Sequence, residues 1–360
     1  MAALYLHVPA QPVDASTFVT AVRRELEHYA RPPFTDAAVR TLYIGGGRPS
    51  RLSPSVLQSL TDACRRTLGA PPLEETTLEL HPSDASPNVL KALPRLGVTR
   101  LSIRGQSFVD AKLRALGAPY SAEDLRDTVH RVQAVGVESV SVDLMFGGPN
   151  PSLSAWKASL QRAVDLRVPH VTLHELGADS PSQRDDEAQA DRFAFALGIL
   201  RAKGYEPYEL THFARPGHRS RYQEHVYAHG NVLGLGPGAE SFWWPDRADP
   251  SSAERWSNVP DVAAYVERLR DDESPVARRE SLDRTPLARE YILLRLRTKE
   301  GLDLNVLHDR YDCPLRREKS ATLNRLTAEG LIHDDPARIR LTDRGRLLAD
   351  AITQRLIPEA

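Results

Sequence analysis

The chain is 360 residues long, 41% hydrophobic and 26% charged, enough to bury a full core in one large domain with a smaller one beside it. A formal net charge of −1 supplies no global field to steer nucleic acid or an anionic membrane. No stretch reaches the roughly 18 apolar residues of a membrane span and the N-terminus enters a strand directly, so a cytoplasmic protein without stable membrane insertion is expected.

Taken in chain order, β-rich runs alternate with amphipathic helical patterns. Leu4–Val8 precedes a helix in ASTFVTAVRRELEHYA, Thr41–Ile44 precedes SPSVLQSLTDACRRTLG, and Thr76–Leu80 precedes PNVLKALPRLG. Thr99–Arg104 is followed by DAKLRALG and SAEDLRDTVHRVQAVG, Ser139–Met145 by SLSAWKASLQRAVDL, and His170–Leu173 by RDDEAQADRFAFALGILRAKG. Helices open on cap residues such as Ser121 and close on glycines such as Gly136, as capping chemistry requires. Strand–helix repeats with short loops imply right-handed crossovers and a parallel sheet over residues 1–204. Several strands end in polar residues, namely Glu79, Arg104, Asp143 and His174. They fit either a site at a barrel mouth or groups that merely hydrogen-bond one another.

Residues 205–269 form an aromatic, glycine-rich extension carrying His212, His218, His225 and His229, and residues 270–284 read as a charged linker. Residues 285–360 read as helices, a hairpin in LIHDDPARIRLTDRG and a final helix, the order of a winged-helix unit. Their 14 Lys and Arg against 12 Asp and Glu lack the basic footprint of phosphate binding, so a packing module is expected and nucleic acid is not. The two cysteines, Cys64 and Cys313, exclude a disulfide framework and any zinc or iron–sulfur centre held by the thiolates of one chain. The carboxylate-rich run LHELGADSPSQRDDEA reads as a solvated loop and helix start.

Two loops stand out. TLYIGGGRPSRLS is a strand, three glycines, a proline and a capped helix, which either lets backbone approach a ligand or makes a tight turn. The loop AQPVD after the first strand holds nothing reactive, although chemistry is expected there in a parallel α/β protein.

In order, YLHVP, TLYIGGGRPSRLSP, LELHP, RLSIRGQSF, VDLMFGGP, GYEPYELTHFARPG, LGLGPGAESF and RWSN resemble the radical-SAM family of oxygen-independent coproporphyrinogen III oxidases and heme chaperones of the HemW branch. The resemblance covers nearly the whole chain. It implies an α/β fold, a partial parallel (β/α)6 TIM-type barrel, followed by a C-terminal helical, winged-helix-like domain. It also implies that Gly45, Gly46 and Gly47 meet the methionine part of S-adenosylmethionine, with Glu79, Gln106 and Asp143 lining its pocket.

The departures from the family are as informative. The family's CxxxCxxC loop, whose thiolates hold a 4Fe–4S cluster, is here the short AQPVD with both flanks retained. Arg48 stands where the family has a threonine, and Ala118 where it has the arginine that faces the methionine carboxylate. No cluster, no catalytic residue, no metal site and weak or lost S-adenosylmethionine binding are therefore expected. The HNxxYW pattern of the chaperone branch has become Tyr222, Gln223, Glu224, His225, Val226 and Tyr227, and Glu240 replaces the histidine of GPGAHS. Tyr222 and His225 are the expected heme ligands, phenolate and imidazole both being iron donors. The expected role is that of a HemW-like heme chaperone or tetrapyrrole-binding protein without radical chemistry, with a heme-acceptor protein as partner. The alternatives are a coproporphyrinogen III oxidase-like enzyme and an S-adenosylmethionine-binding pseudoenzyme or scaffold.

Overall fold

The structure is a computed structural model, and it describes residues 1–69, 72–148, 152–176, 186–246 and 251–358. Most of the carboxylate run expected to be a solvated loop lies outside the described residues. Strands β1 (Ala2–Val8), β2 (Val39–Gly46), β3 (Glu75–Leu80), β4 (Arg100–Gln106), β5 (Ser139–Gly147) and β6 (His170–Leu176) pair in sequence order and in parallel. Helices α1 (Ala15–His28), α2 (Pro54–Thr67), α3 (Pro87–Ala92), α4 (Asp110–Ala115), α5 (Ala122–Ala134), α6 (Leu153–Asp165) and α7 (Asp186–Ala202) lie in the connections. Local chemistry sets where they begin. Asp14, Ser53, Ser86, Ser121 and Ser152 each accept from a first-turn N–H, and Ser121 with Asp124 closes a reciprocal capping box.

Alternation along the strands sorts side chains between two faces. Leu4, Leu6, Leu42, Ile44, Leu78, Leu101, Ile103, Val142, Val171 and Leu173 join one hydrophobic core with the helices. The opposite face carries Tyr5, Tyr43, Glu79, Arg100, Ser102, Arg104, Asp143 and Thr172, which line a cavity. The sheet thus turns its greasy side to the helices and its polar side inward.

The sheet grows at both edges. Beyond β6, β8 (His212–Ala214) and β7 (Glu206–Pro207) add antiparallel. Beyond β1, β9 (Asn231–Leu235) adds in parallel, and β10 (Glu240–Trp243), β11 (Ser252–Asn258) and β12 (Val276–Asp283) follow antiparallel. The result is a single 12-stranded sheet in which β1 lies between β2 and β9. Helices α8 (Arg221–Tyr227) and α9 (Val262–Arg270) complete this region, so the aromatic extension is part of the barrel sheet.

The expected linker over 270–284 is corrected: most of it is β12. Its charges misled the reading because they are cross-strand pairs, Arg255 with Glu280 at 2.7 Å and Arg279 with Glu254 at 3.1 Å. Charged edge strands resist pairing with other chains.

The C-terminal unit comprises α10 (Arg284–Leu296), β13 (Leu302–Asp303), α11 (Leu304–Tyr311), α12 (Leu315–Glu318), α13 (Ser320–Ala328), β14 (Ile332–Asp334), β15 (Arg338–Leu341), α14 (Asp343–Arg346) and α15 (Ala349–Leu356). The expected hairpin is β14–β15, and β13 completes a three-stranded sheet. Its core holds Leu287, Ile292, Leu307, Leu326, Ile352 and Leu356 together with Leu210, Trp244, Ala253 and Leu282 from the barrel side. Cys64 is buried in the barrel core and Cys313 in this one. Among the described residues no helix is long and apolar enough to cross a membrane.

Candidate functional site

The polar faces of β1 to β6 enclose a cavity of about 490 Å³, completed by Thr211, His212 and one face of α8. Its size falls within the usual range for small-molecule sites, roughly 300–1,000 Å³. Tyr5 and Tyr43 are register partners on neighbouring strands, and Tyr222 packs on both, with ring centroids 6.3 and 4.9 Å away. Tyr227 extends this aromatic wall. Opposite it, Ser102 donates to Asp143 at 3.0 Å and the Tyr43 hydroxyl donates to Glu79 at 3.0 Å. Burial pushes the Glu79 carboxyl up, with Asp143 adding to the effect and Arg104 opposing it.

Helix α8 is held in place from its first turn. The buried Glu75 carboxylate accepts from Ser220 Oγ at 3.0 Å, Arg221 N at 2.9 Å and Tyr222 N at 3.1 Å, satisfying donors that a helix start leaves open. Tyr222, Gln223, Val226 and Tyr227 then share the face that lines the cavity, as helical spacing dictates. His225 lies on the other face. Its Nε2 donates to the Asn231 carbonyl at 2.8 Å, and its ring closes on Gly230, where a Cβ would lie 2.4 Å from Nε2. The two residues expected to bind heme are therefore separated: Tyr222 faces the cavity and His225 does not. The imidazoles that do line it are His174 and His212. His212 Nδ1 is 2.9 Å from Glu209 Oε2, which leaves Nε2 as its coordinating nitrogen, an orientation familiar from metal-ligating histidines. Burial alone would raise the Glu209 carboxyl, but His212, Arg297 and the Thr211 N–H hold it down to about 2.

The glycine loop packs within the chain against the loop that follows β1. Gly47 N–H donates to the Val8 carbonyl at 2.7 Å, and Arg104 donates to the carbonyls of Gly46 and Gly47 at 3.2 and 2.9 Å. A Cβ on Gly46 would lie 1.8 Å from the His7 ring, and one on Gly47 would lie 2.1 Å from Ala10 N and 2.6 Å from the Pro9 carbonyl carbon. The short loop after β1 is thus pressed onto the glycines. Gly45 backs onto Tyr43 and Glu79. Gln106, at φ +55, keeps its buried Oε1 without a hydrogen-bond partner and stands outside the cavity lining. Arg48 is locked to Asp84 by two bonds of 2.8 Å, and Ala118 packs against the barrel core.

These residues do not fit a 4Fe–4S cluster chelating S-adenosylmethionine. Three thiolates are needed and none flanks the loop, the glycine amide and carbonyls are engaged within the chain, and the space above them is filled by Pro9 and Ala10. Among the described residues no group of three or more His, Cys, Asp or Glu is placed to hold a metal ion. Anaerobic reconstitution with iron and sulfide will leave the protein with no more iron than an apo control. Titration calorimetry with S-adenosylmethionine will return at best a millimolar dissociation constant, about −4 kcal/mol; a low-micromolar one, about −8 kcal/mol, would contradict the occluded loop.

Sequence reading found Glu79, Asp143 and Tyr222 but missed Tyr5, Tyr43, Arg100 and Ser102 as cavity residues. Their mark was available in the alternation: Tyr5, Tyr43 and Ser102 each stand between two aliphatic residues on a predicted strand, and Arg100 lies two residues before Ser102 on the same face. Of the aromatic residues in the extension, Tyr227 lines the cavity, whereas Trp243 is in the barrel core and Phe242 stacks on His229 at 4.5 Å. Glycines of the extension face protein: Gly234 abuts Glu240 and Gly236 abuts the His7 carbonyl. Glu240 itself is exposed.

Comparison with known proteins agrees with this architecture. The Radical SAM superfamily pattern matches residues 22–163 and the HemN C-terminal domain pattern matches residues 282–348. The heme chaperone HemW of Mycobacterium tuberculosis is 30% identical over 365 residues, covering 98% of this chain and 89% of that protein. The heme chaperone HemW of Lactococcus lactis is 27% identical, covering 96% and 90%. Among solved structures, the coproporphyrinogen III oxidase HemN of Escherichia coli superposes with a TM-score of 0.82 at 21% identity, over 99% of this chain and 90% of that one. That superposition establishes the radical-SAM fold, including the C-terminal unit.

Proposed function

This chain belongs to the HemW family, and from that premise we propose that it binds heme in the interior cavity and passes it to an acceptor protein without radical chemistry. One observation carries the reading. The loop corresponding to the family's cluster loop has closed on the glycines, yet the cavity of about 490 Å³ beside it stays open, with four tyrosines in its lining. Apolar ring faces suit a flat macrocycle, and the polar floor suits its charged edge.

Tyr222 is the proposed iron donor, with His212 as the second. Burial pushes the Tyr222 hydroxyl up, beyond the ordinary phenol range, so it stays protonated until ferric iron displaces the proton. Tyrosinate ligation of this kind is known heme chemistry. His225 is not expected to contribute. Hemin titration should give a Soret band whose position shifts in Tyr222→Phe, with affinity reduced about tenfold or more, and no change in His225→Ala. An unchanged Soret band in both Tyr222→Phe and His212→Ala would refute the ligand assignment, and no hemin binding by the wild type would refute the heme reading.

A further inference from the structure

Arg100 lines the cavity at the start of β4 and is only 3% exposed. Buried arginines are almost always paired, yet this one forms no ion pair with a carboxylate among the described residues. Among the described residues the one polar contact of its side chain is Nη2 to His170 Nδ1 at 3.2 Å, and its Nε is buried with no hydrogen-bond partner there. A guanidinium offers five donors, so most of its capacity is unspent.

The neighbours explain why the chain does not neutralise it. Asp143 is occupied by the Ser102 hydroxyl, 3.0 and 3.1 Å from its two oxygens, while the Ser141 hydroxyl donates to His170 Nδ1 at 2.8 Å. Glu79 Oε1 accepts from Tyr43, and its Oε2 lies 3.9 Å from Arg104 Nε, so this carboxylate pairs toward Arg104. His170 is wholly buried, its Nε2 2.9 Å from the Tyr208 hydroxyl. Burial, with Arg100 adding to it, pushes its pKa well down, so it accepts from Arg100 as a neutral ring. The Tyr208 hydroxyl in turn accepts from Ser220 N, at the cap of α8. Arg100 is therefore held rigidly by a backing network while its charge stays open toward the cavity.

We propose that Arg100 is the anion subsite of the cavity and takes a carboxylate of the ligand, so that the ligand class is a flat apolar ring bearing acidic side arms. This rests on the heme reading above and deepens it. Heme carries two propionates, and a ring entering between the tyrosine wall and β4 brings one of them to Arg100. The arrangement selects the free acid over a neutral ester of the same shape, because an ester leaves the buried cation unpaired.

The test compares hemin and metal-free protoporphyrin IX with their dimethyl esters on the full-length protein. The wild type should bind the acids about tenfold or more tightly than the esters. Arg100→Gln should lose that preference by weakening acid binding far more than ester binding, and Arg100→Lys should keep part of it. Equal binding of acid and ester by the wild type overturns the Arg100 assignment while the heme reading stands, and it does so even if Arg100→Gln fails to fold. Acid-selective binding of protoporphyrin without hemin binding would support Arg100 and overturn iron ligation. Binding of neither compound overturns both.

Discussion

Gly47→Ala will destabilise the unliganded protein by about 2–4 kcal/mol, as backbone overpacking does when no rotamer can relieve it. The added methyl would meet Ala10 N at 2.1 Å and Ala10 Cα at 2.3 Å, and these are main-chain atoms that move only if the whole loop after β1 moves. Displacing that loop also breaks the 2.7 Å bond from Gly47 N–H to the Val8 carbonyl and strains the approach to α1, whose first turn Asp14 caps. Urea unfolding in the absence of any ligand is the measurement. A glycine kept only for ligand approach would tolerate the methyl in the apo protein, so a change below about 0.5 kcal/mol would show that the loop does not rest on Gly47.

Stability will also fall between pH 5.5 and pH 8 by about 2 kcal/mol through one group, Glu25. It sits wholly buried on α1 and accepts from Gly236 N at 2.8 Å, the Tyr265 hydroxyl at 2.6 Å and Asn258 Nδ2 at 2.5 Å. Burial pushes its carboxyl up to about 7, against the three bonds that favour the anion. Because the folded pKa lies above the unfolded value, the folded state holds a proton that the unfolded chain has already released. Stability therefore declines as pH rises from the ordinary carboxyl value through 7 and levels off above it. His170 and His229, pushed down by burial, contribute the opposite slope below the ordinary imidazole value. The measured quantity is thus the difference between the wild type and Glu25→Gln, which should change with pH by about 2 kcal/mol; a constant difference would remove Glu25 from the account.

Local patterns made the barrel legible. Strands β1 to β6 and the helices between them follow from alternation, cap residues and terminal glycines. The remaining strands of the sheet did not, because pairing is a long-range choice: β9 reads as a glycine-rich loop until it finds β1, and β12 reads as a linker until Glu280 and Arg279 find Arg255 and Glu254. The same limit applied to the site. Tyr222 and His225 are three residues apart in sequence, a spacing that puts them on adjoining flanks of α8, and only the folded contacts show Tyr222 in the cavity wall and His225 drawn to the Asn231 carbonyl. Likewise, three glycines look alike whether they admit a ligand or a neighbouring loop. What filled the space at Gly46 and Gly47 was the residue pair Pro9 and Ala10 and the ring of His7, packed there by the fold.

The position of β1 has a consequence for how the protein is made. It precedes every other strand of its sheet in the chain, yet in the finished sheet it is an interior strand, bonded to β2 on one side and to β9 on the other. The stretch Ala2–Leu6 therefore waits with an open edge until Asn231–Leu235 has been synthesised, and the β10–β12 strands beyond β9 come later still. Closing so distant a pair is slow, and an unpaired apolar edge is prone to the wrong partner in the interval. Nascent chains of this protein stay in that exposed condition while the residues between β1 and β9 are made, and it is the arrival of β9 that ends it.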